Sequence, residues 1–348
     1  MVPNERTGVI FHEGLAAEQM LNLARQADER NFDGIFLSEE AGHNSLVLLG
    51  AMASVSRRAR IGSCIASIYT RSAPIYAMGI NTINDLSGGR AILGLGTSPP
   101  YFVKHWHNTP WERPVSRIKD YIKIVRATLT GEKVSYQGRA SSCRDFQLAV
   151  NPPRNRIPLY VGAIGPQMVR AAGEVADGVM LAPMLSEEYL EYSIQNLKRG
   201  AEKAGRDYRE IDVAAPIITS VDPDERKALD RARVYLTYFA VVFYYEFLLD
   251  MSGFHDLGKK LRRVNKEKGY LAATELVSDD MARKLTIAGT PEQCKTRLAQ
   301  LRAAGFRFAI LNPPGPRRVF NQPVQVPVDP WETYSAVLKY LAPDEASG

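Results

Sequence analysis

Short apolar runs recur at 7–11, 34–38, 60–66, 91–96, 157–163, 178–184, 211–221 and 306–312, and each is followed by a longer segment of helical period. Their hydrophobicity is continuous rather than alternating, as in parallel strands covered on both faces. Eight strand-and-helix units predict an α/β fold, a (β/α)8 TIM barrel, with an open doubly wound sheet as the alternative. In the first helical segment Met20, Leu21, Leu23, Ala24 and Ala27 stand among Glu18, Gln19, Asn22, Arg25 and Asp28, so one face is buried. Near the other end Thr290 is a candidate N-cap before Pro291 and Glu292, and Ala303-Ala304-Gly305 stops that helix ahead of the last strand.

Two connections exceed plain barrel units. The first, 131–153, is rich in polar and turn residues around Tyr136-Gln137-Gly138-Arg139 and predicts a hairpin or loop beside the barrel mouth. The second, 223–284, is helical in pattern and carries Tyr235, Tyr238, Phe239, Phe243, Tyr244, Tyr245 and Phe247. Such an aromatic stripe is more often core or subunit contact than substrate contact.

Composition narrows the class. A chain of 348 residues suits one barrel domain, 1–348, and 45% hydrophobic with 24% charged residues suits a large buried core. Cys64, Cys143 and Cys294 lie far apart in no metal-ligand spacing, which argues against a disulfide framework or a metal site and for a reducing cytoplasm. The first residues hold no apolar signal core, and the stretch 234–245 is short of the roughly 20 residues that span a bilayer. The net charge of +6 is scattered rather than gathered in a stripe, so the expected partner is a small-molecule substrate, not nucleic acid or membrane.

In a parallel barrel the informative residues are those at strand ends. The stretch Arg60-Ile61-Gly62-Ser63-Cys64-Ile65-Ala66-Ser67-Ile68-Tyr69-Thr70-Arg71 is followed by Leu86-Ser87-Gly88-Gly89-Arg90 and Leu93-Gly94-Leu95-Gly96. This order of third strand, Leu-Ser-x-Gly-Arg turn and Leu-Gly-x-Gly fourth strand resembles the luciferase-like superfamily. A second stretch, Leu159-Tyr160-Val161-Gly162-Ala163-Ile164-Gly165-Pro166-Gln167-Met168, running on to Asp177-Gly178, resembles its deazaflavin-dependent branch. Glycines ending a buried strand let backbone amides approach an anion, and the helix starting near Pro166 turns its positive end to the same place. A tight strand-to-helix turn needing glycine for packing is the other reading. The segments 211–215 and 288–292 extend the similarity, which comes nearest to the methylenetetrahydromethanopterin reductases.

The resemblance implies coenzyme F420 at the barrel mouth, its ring leaning on the third strand, where a bulge holds a non-proline cis peptide at Cys64–Ile65. The implied cofactor contacts are Ser38, Ser63, Cys64 and Ile65, then Gly96, Thr97 and Ser98, then Gly162, Ala163, Ile164, Gly165 and Pro166. It also implies a homodimer or higher homo-oligomer. The sequence departs from the family where proton chemistry is expected. After the second strand many relatives carry Asp-His, whereas this chain reads Ser38-Glu39-Glu40-Ala41-Gly42-His43; a later acidic position is Pro99; and the acid near the end of the first strand gives way to Ile10, with His12 and Glu13 just beyond. The departures bear on the substrate more than on the cofactor.

Adjacent carboxylates shift each other's proton affinity, so Glu39 and Glu40 are candidates for acid/base work, with a solvated loop acid as the other reading. His43 is a third candidate, or a polar rim residue. Cys64 lacks an evident base and reads as a strand residue touching cofactor rather than a nucleophile. Arg71 suits either an anionic group or a structural ion pair. The function expected is hydride transfer between a deazaflavin and a small organic substrate. An FMN-dependent monooxygenase on the same barrel and a cofactor-binding relative without turnover are the alternatives.

Overall fold

The computed structural model describes residues 5–12, 14–243, 245–316 and 328–343; Glu13 and Tyr244, named above, lie outside them. In chain order the strands are β1 (Arg6–Phe11), β2 (Gly34–Leu37), β3 (Arg60–Ser63), β4 (Ala66–Ser67), β5 (Ala91–Gly96), β6 (Val134–Gln137), β7 (Ser142–Phe146), β8 (Leu159–Gly162), β9 (Gly178–Met180), β10 (Asp212–Val221), β11 (Ile287–Gly289) and β12 (Phe308–Asn312). Parallel pairing runs β1, β2, β3 with β4, β5, β8, β9, β10, β12 and back to β1. The sheet is therefore closed into an eight-stave barrel rather than left open.

Each stave coincides with a predicted apolar run, with β1 starting one residue earlier at Arg6 and β4 ending one residue later at Ser67. The largest difference is at 178–184, where the ladder stops at Met180. Leu181, Ala182 and Pro183 leave the sheet and line a cavity, so their apolarity serves that wall rather than strand pairing. Gly62 pairs with Ile92 while Ala66 pairs with Leu95, so four steps on the third stave face three on β5. The extra residue is a bulge that interrupts the stave at Cys64 and Ile65, whose peptide bond is cis.

Side chains from every second strand position fill the interior: Ile10, Phe36, Ile92, Tyr160, Met180, Ala214, Phe308 and Ile310 pack together. The floor is polar. Arg6 and Tyr160 both bond Asp212, all three are buried, and the Arg6 guanidinium lies 4.4 Å from the centre of the Phe308 ring. Just below the third stave, burial alone would push the Asp28 carboxyl up, but amide donors from Ala59, Arg57 and Arg58 outweigh it and hold the group below its ordinary range.

Outside the barrel, β6 and β7 form an antiparallel hairpin. The segment after β10 builds helices Glu225–Val242, Glu246–Met251, Leu257–Lys268, Tyr270–Thr274 and Asp279–Leu285. The helix Pro330–Tyr340 packs back on β1, where the Tyr334 hydroxyl donates to the Ile10 carbonyl at 3.0 Å. Among the described residues no helix is long and apolar enough to cross a membrane.

Candidate active site

A cavity of about 690 Å³ opens at the C-terminal strand ends. That is the size of a small-molecule site and the end of a parallel barrel where ligands gather. Its floor is apolar, made by Ile10, Cys64, Ile65 and Met180. Ile65 explains two of the glycines around it. A Cβ on Gly96 would lie 2.6 Å from the Ile65 side chain, and one on Gly162 would lie 3.0 Å from it. Both glycines make room for the bulged residue. Gly165 differs: a Cβ there would meet nothing within 4 Å, and the helix Pro166–Val175 starts beside it with its positive end toward the cavity.

One wall is polar and hydrogen-bonded across three neighbouring strands. His12 follows β1, Ser38 follows β2, and Asn312 ends β12. The His12 Nδ1 lies 2.8 Å from the Ser38 hydroxyl and its Nε2 lies 2.6 Å from Asn312 Oδ1. Asn312 gives its amide N–H to the Pro216 carbonyl at 3.1 Å, which leaves Oδ1 to accept from the imidazole. His12 therefore carries its proton on Nε2 and turns Nδ1 toward Ser38.

Next to this wall the two glutamates part company. Glu39 forms an ion pair with Arg71 and also accepts from the Ser45 hydroxyl and, at 3.3 Å, from Thr70. Glu40 meets the helical insertion, accepting from Tyr238 at 3.3 Å. The nearby Tyr245 phenol is pushed up by burial, with further effects from Tyr189 and from Glu40, so it stays a donor. Burial likewise pushes the Cys64 thiol up, which keeps it protonated and unsuited to nucleophilic attack.

The roof is aromatic. Helix Pro100–Trp106 brings Phe102, stacked on Trp106 at 4.1 Å, edge-on to Phe243 of the insertion at 6.1 Å. Phe239, Phe243 and Tyr245 face the cavity, while Tyr235 is packed into the core. The Trp111 indole holds the loop after β5 by donating to the carbonyls of Thr97 and Ser98, each at 3.2 Å.

Of the residues singled out from sequence, Ser38, Glu39, Glu40, Cys64, Ile65, Gly96, Thr97, Ser98, Gly162, Ala163, Ile164 and Gly165 line this cavity. Three do not. The Ser63 hydroxyl is fully buried and bridges to β5, donating to the Gly94 carbonyl at 2.8 Å. Pro166 sits one step behind Gly165 as the first helical residue. His43 is exposed, bonds the Leu15 carbonyl at 3.1 Å, and borders a smaller side pocket. His12 and Asn312 were missed as site residues, although each is a polar residue closing a buried apolar run, which is the signal that finds them. Among the described residues no cluster of His, Cys, Asp and Glu gathers to hold a metal ion.

Comparison with known proteins accords with this geometry. The chain is 31% identical to a 5,10-methylenetetrahydromethanopterin reductase of Methanolobus tindarius, over 89% of this chain and 95% of the relative. It is 27% identical to an F420-dependent glucose-6-phosphate dehydrogenase of Microbacterium testaceum, over 87% of this chain and 89% of that one. The solved structure of the coenzyme F420-dependent tetrahydromethanopterin reductase of Methanopyrus kandleri superposes with a TM-score of 0.84 at 23% identity, covering 97% of this chain and 98% of the other. The sequence profile of the luciferase-like monooxygenases matches residues 2–307, and on that match the chain belongs to the luciferase-like monooxygenase family.

Proposed function

We infer that this protein is a coenzyme F420-dependent oxidoreductase passing hydride between the deazaflavin and a small organic substrate. The similarity to a 5,10-methylenetetrahydromethanopterin reductase over 95% of that relative's length, together with the fold shared with the coenzyme F420-dependent tetrahydromethanopterin reductase, carries the reading. The cavity fits the group. A flat apolar ring suits the floor of Ile10, Cys64, Ile65 and Met180, and a phosphate suits the open approach at Gly165, where a helix begins and no side chain intrudes. When bound, the deazaflavin gives or takes the hydride, and the chain's own residues bind, orient and exclude water.

In this reading Ile65, raised on its bulge, supports the ring from below, and Gly96 and Gly162 keep that support in place. Thr97 and Ser98, held by Trp111, border the ring's edge. Ser38, Ala163 and Ile164 complete the cofactor wall. Glu39 is a positioning residue: its carboxylate is committed to Arg71, Ser45 and Thr70, which fixes the segment between β2 and the following helix. Glu40 joins the barrel to the insertion through Tyr238.

The helices Ser45–Val55 and Ala73–Leu86 lie side by side and expose Val47, Ile75, Met78 and Leu86. That apolar face is our candidate for a contact between two copies, so we assign a homodimer. Cys64, Cys143 and Cys294 are all free thiols, in keeping with a cytoplasmic enzyme.

Parallel fluorescence titrations of the purified protein with F420 and with FMN test the cofactor. The reading expects saturable F420 binding at least about tenfold tighter than FMN, a gap of about 1.4 kcal/mol. Tighter binding of FMN would overturn it in favour of flavin chemistry.

A further inference from the structure

Outside the sheet, towards the end of the barrel opposite the mouth, lies a second cavity of about 500 Å³. Three helices end beside it: Pro114–Thr128, Pro166–Val175 and, through the turn that follows it, Glu187–Lys203. Helices and strands run in opposite directions in this fold, so these helix ends sit by the starts of β8 and β9, with Arg156 and Asp177 just ahead of those strands. The ten-residue helix Pro166–Val175 begins at the mouth and ends here, so about 15 Å of helix separates the two places.

The wall is apolar where Ile122, Ala127 and Val175 meet, and cationic around them, from Lys123, Arg126, Arg156 and Arg206. Part of this charge is structural. Arg206 donates to the Gly173 and Ala176 carbonyls at 3.0 and 2.7 Å, and Arg126 donates to the Val175 carbonyl at 3.3 Å, so both cap the same helix end. Asp177 accepts from Arg126 at 3.0 Å and from Arg156 at 2.5 Å, while Glu174 accepts from Lys119 at 2.5 Å and from Lys203 at 3.1 Å. Each carboxylate is thus shared by two cations. With Glu210 acting on Arg206 as a third acid, three carboxylates face six cations, the four of the wall and the two lysines on Glu174. Three helix ends at about half a negative charge each remove only part of that surplus.

Unused donors remain. Among the described residues Arg126 and Arg156 each bond only through Nη2, and the exposed Lys123 has no partner. Burial, partly offset by the Asp177 charge and reinforced by repulsion from Arg126 and Arg156, holds the Arg206 guanidinium below its ordinary value. An arginine stays charged in such a place, so the group that relieves it is an anion.

We propose that this cavity binds an organic phosphate, with the phosphate group held by Lys123, Arg126, Arg156 and Arg206 and an apolar or aromatic body resting on Ile122, Ala127 and Val175. A surplus of more than one positive charge suits a phosphate dianion better than a single carboxylate. Donors that arrive from three chain segments surround a tetrahedral group, whereas a planar carboxylate is satisfied by one guanidinium fork. The volume is that of a small-molecule site. Parallel barrels do their chemistry at the opposite face, so the ligand is bound here rather than converted.

The test is isothermal titration calorimetry of the full chain with 1-naphthyl phosphate, inorganic phosphate and 1-naphthol. The naphthyl ester should bind once per chain and at least about tenfold tighter than inorganic phosphate, and 1-naphthol should show no saturable binding. Affinity should fall as sodium chloride rises from about 0.02 to about 0.2 M. Lys123→Glu should weaken the ester by about tenfold or more with the unfolding midpoint unchanged, because the side chain it replaces is exposed and unpaired. Saturating F420 should leave the affinity within about twofold, as for independent sites. Equal affinity for naphthol and its phosphate, inorganic phosphate binding as tightly as the ester, parental affinity in Lys123→Glu, or loss of binding in the presence of F420 would each overturn the assignment. Phosphatidylcholine vesicles carrying phosphatidic acid present the same group on a membrane. Capture of the protein by those vesicles, without a response to the soluble ester, would overturn it in favour of a lipid surface.

Discussion

The barrel interior carries polar groups at both ends, and they do opposite work. At the floor, Arg6, Asp212 and Tyr160 are charged or strongly polar, buried and joined through Asp212, and none of them lines the cavity at the mouth. At the mouth, His12, Ser38 and Asn312 form a hydrogen-bonded row that opens on a cavity of about 690 Å³. At the floor burial, followed by the Asp212 charge, drives the Tyr160 phenol well above its ordinary range, and at the mouth burial pushes up the Cys64 thiol and the Tyr245 phenol as well. Access rather than perturbation separates the two. A shifted proton affinity marks a functional residue only where something can reach it.

The largest test of this contrast is at the floor. Asp212→Ala leaves the Arg6 guanidinium buried without its partner, and loss of one member of a buried pair costs about 3–5 kcal/mol. Urea unfolding should show that loss, while the folded variant binds F420 with parental affinity. A large fall in F420 affinity with stability intact would break the comparison by giving the floor a ligand role.

Asp28 comes next. Asp28→Ala strands three amides before the third stave and should cost about 1–3 kcal/mol in the same assay. Because the folded carboxyl is held below its ordinary value, the stability it adds is present above the unfolded value of about 3.9 and is lost as pH falls through the folded one. The gap between parent and Asp28→Asn should therefore close in acid below about pH 4; a constant gap would remove the carboxylate charge from the explanation.

At the mouth, Gly165→Val should weaken F420 binding by about tenfold or more, about 1.4 kcal/mol, with the unfolding midpoint unchanged, because its Cβ has open space around it. Retained affinity would make this turn as purely structural as Gly96 and Gly162. The smallest effect is expected at Glu39. Glu39→Gln should change turnover by under about threefold, far short of what a general acid contributes. A loss of a hundredfold would return Glu39 to the chemistry.

The staves were legible because strands covered on both faces of a parallel barrel read as continuous apolar runs, and their starts and ends fell within a few residues except at 181–184, where the apolar run goes on past the ladder. Bulge and glycine positions were legible only through family resemblance. Periodicity could not separate Gly96 and Gly162, which make room for Ile65, from Gly165, which leaves space open, because that difference is three-dimensional. Nor could it rank Glu39 against Glu40, since Arg71 lies 32 positions away from Glu39 in sequence. The aromatic stripe at 235–247 divided in a way no helical pattern reveals: Tyr235 fills the core, while Phe239, Phe243 and Tyr245 reach the cavity. The His12–Asn312 bond spans 300 positions and exists only because the last strand closes the barrel against the first.

The most direct test of the central claim is a crystal structure of the protein soaked with F420. The account predicts density for the deazaflavin ring against the Ile65 side chain, with a phosphate beside Gly165 and open space left between the ring, Ser38 and the Phe102–Phe243 roof. Density for the ring outside this cavity, or a phosphate bound away from Gly165, would contradict it.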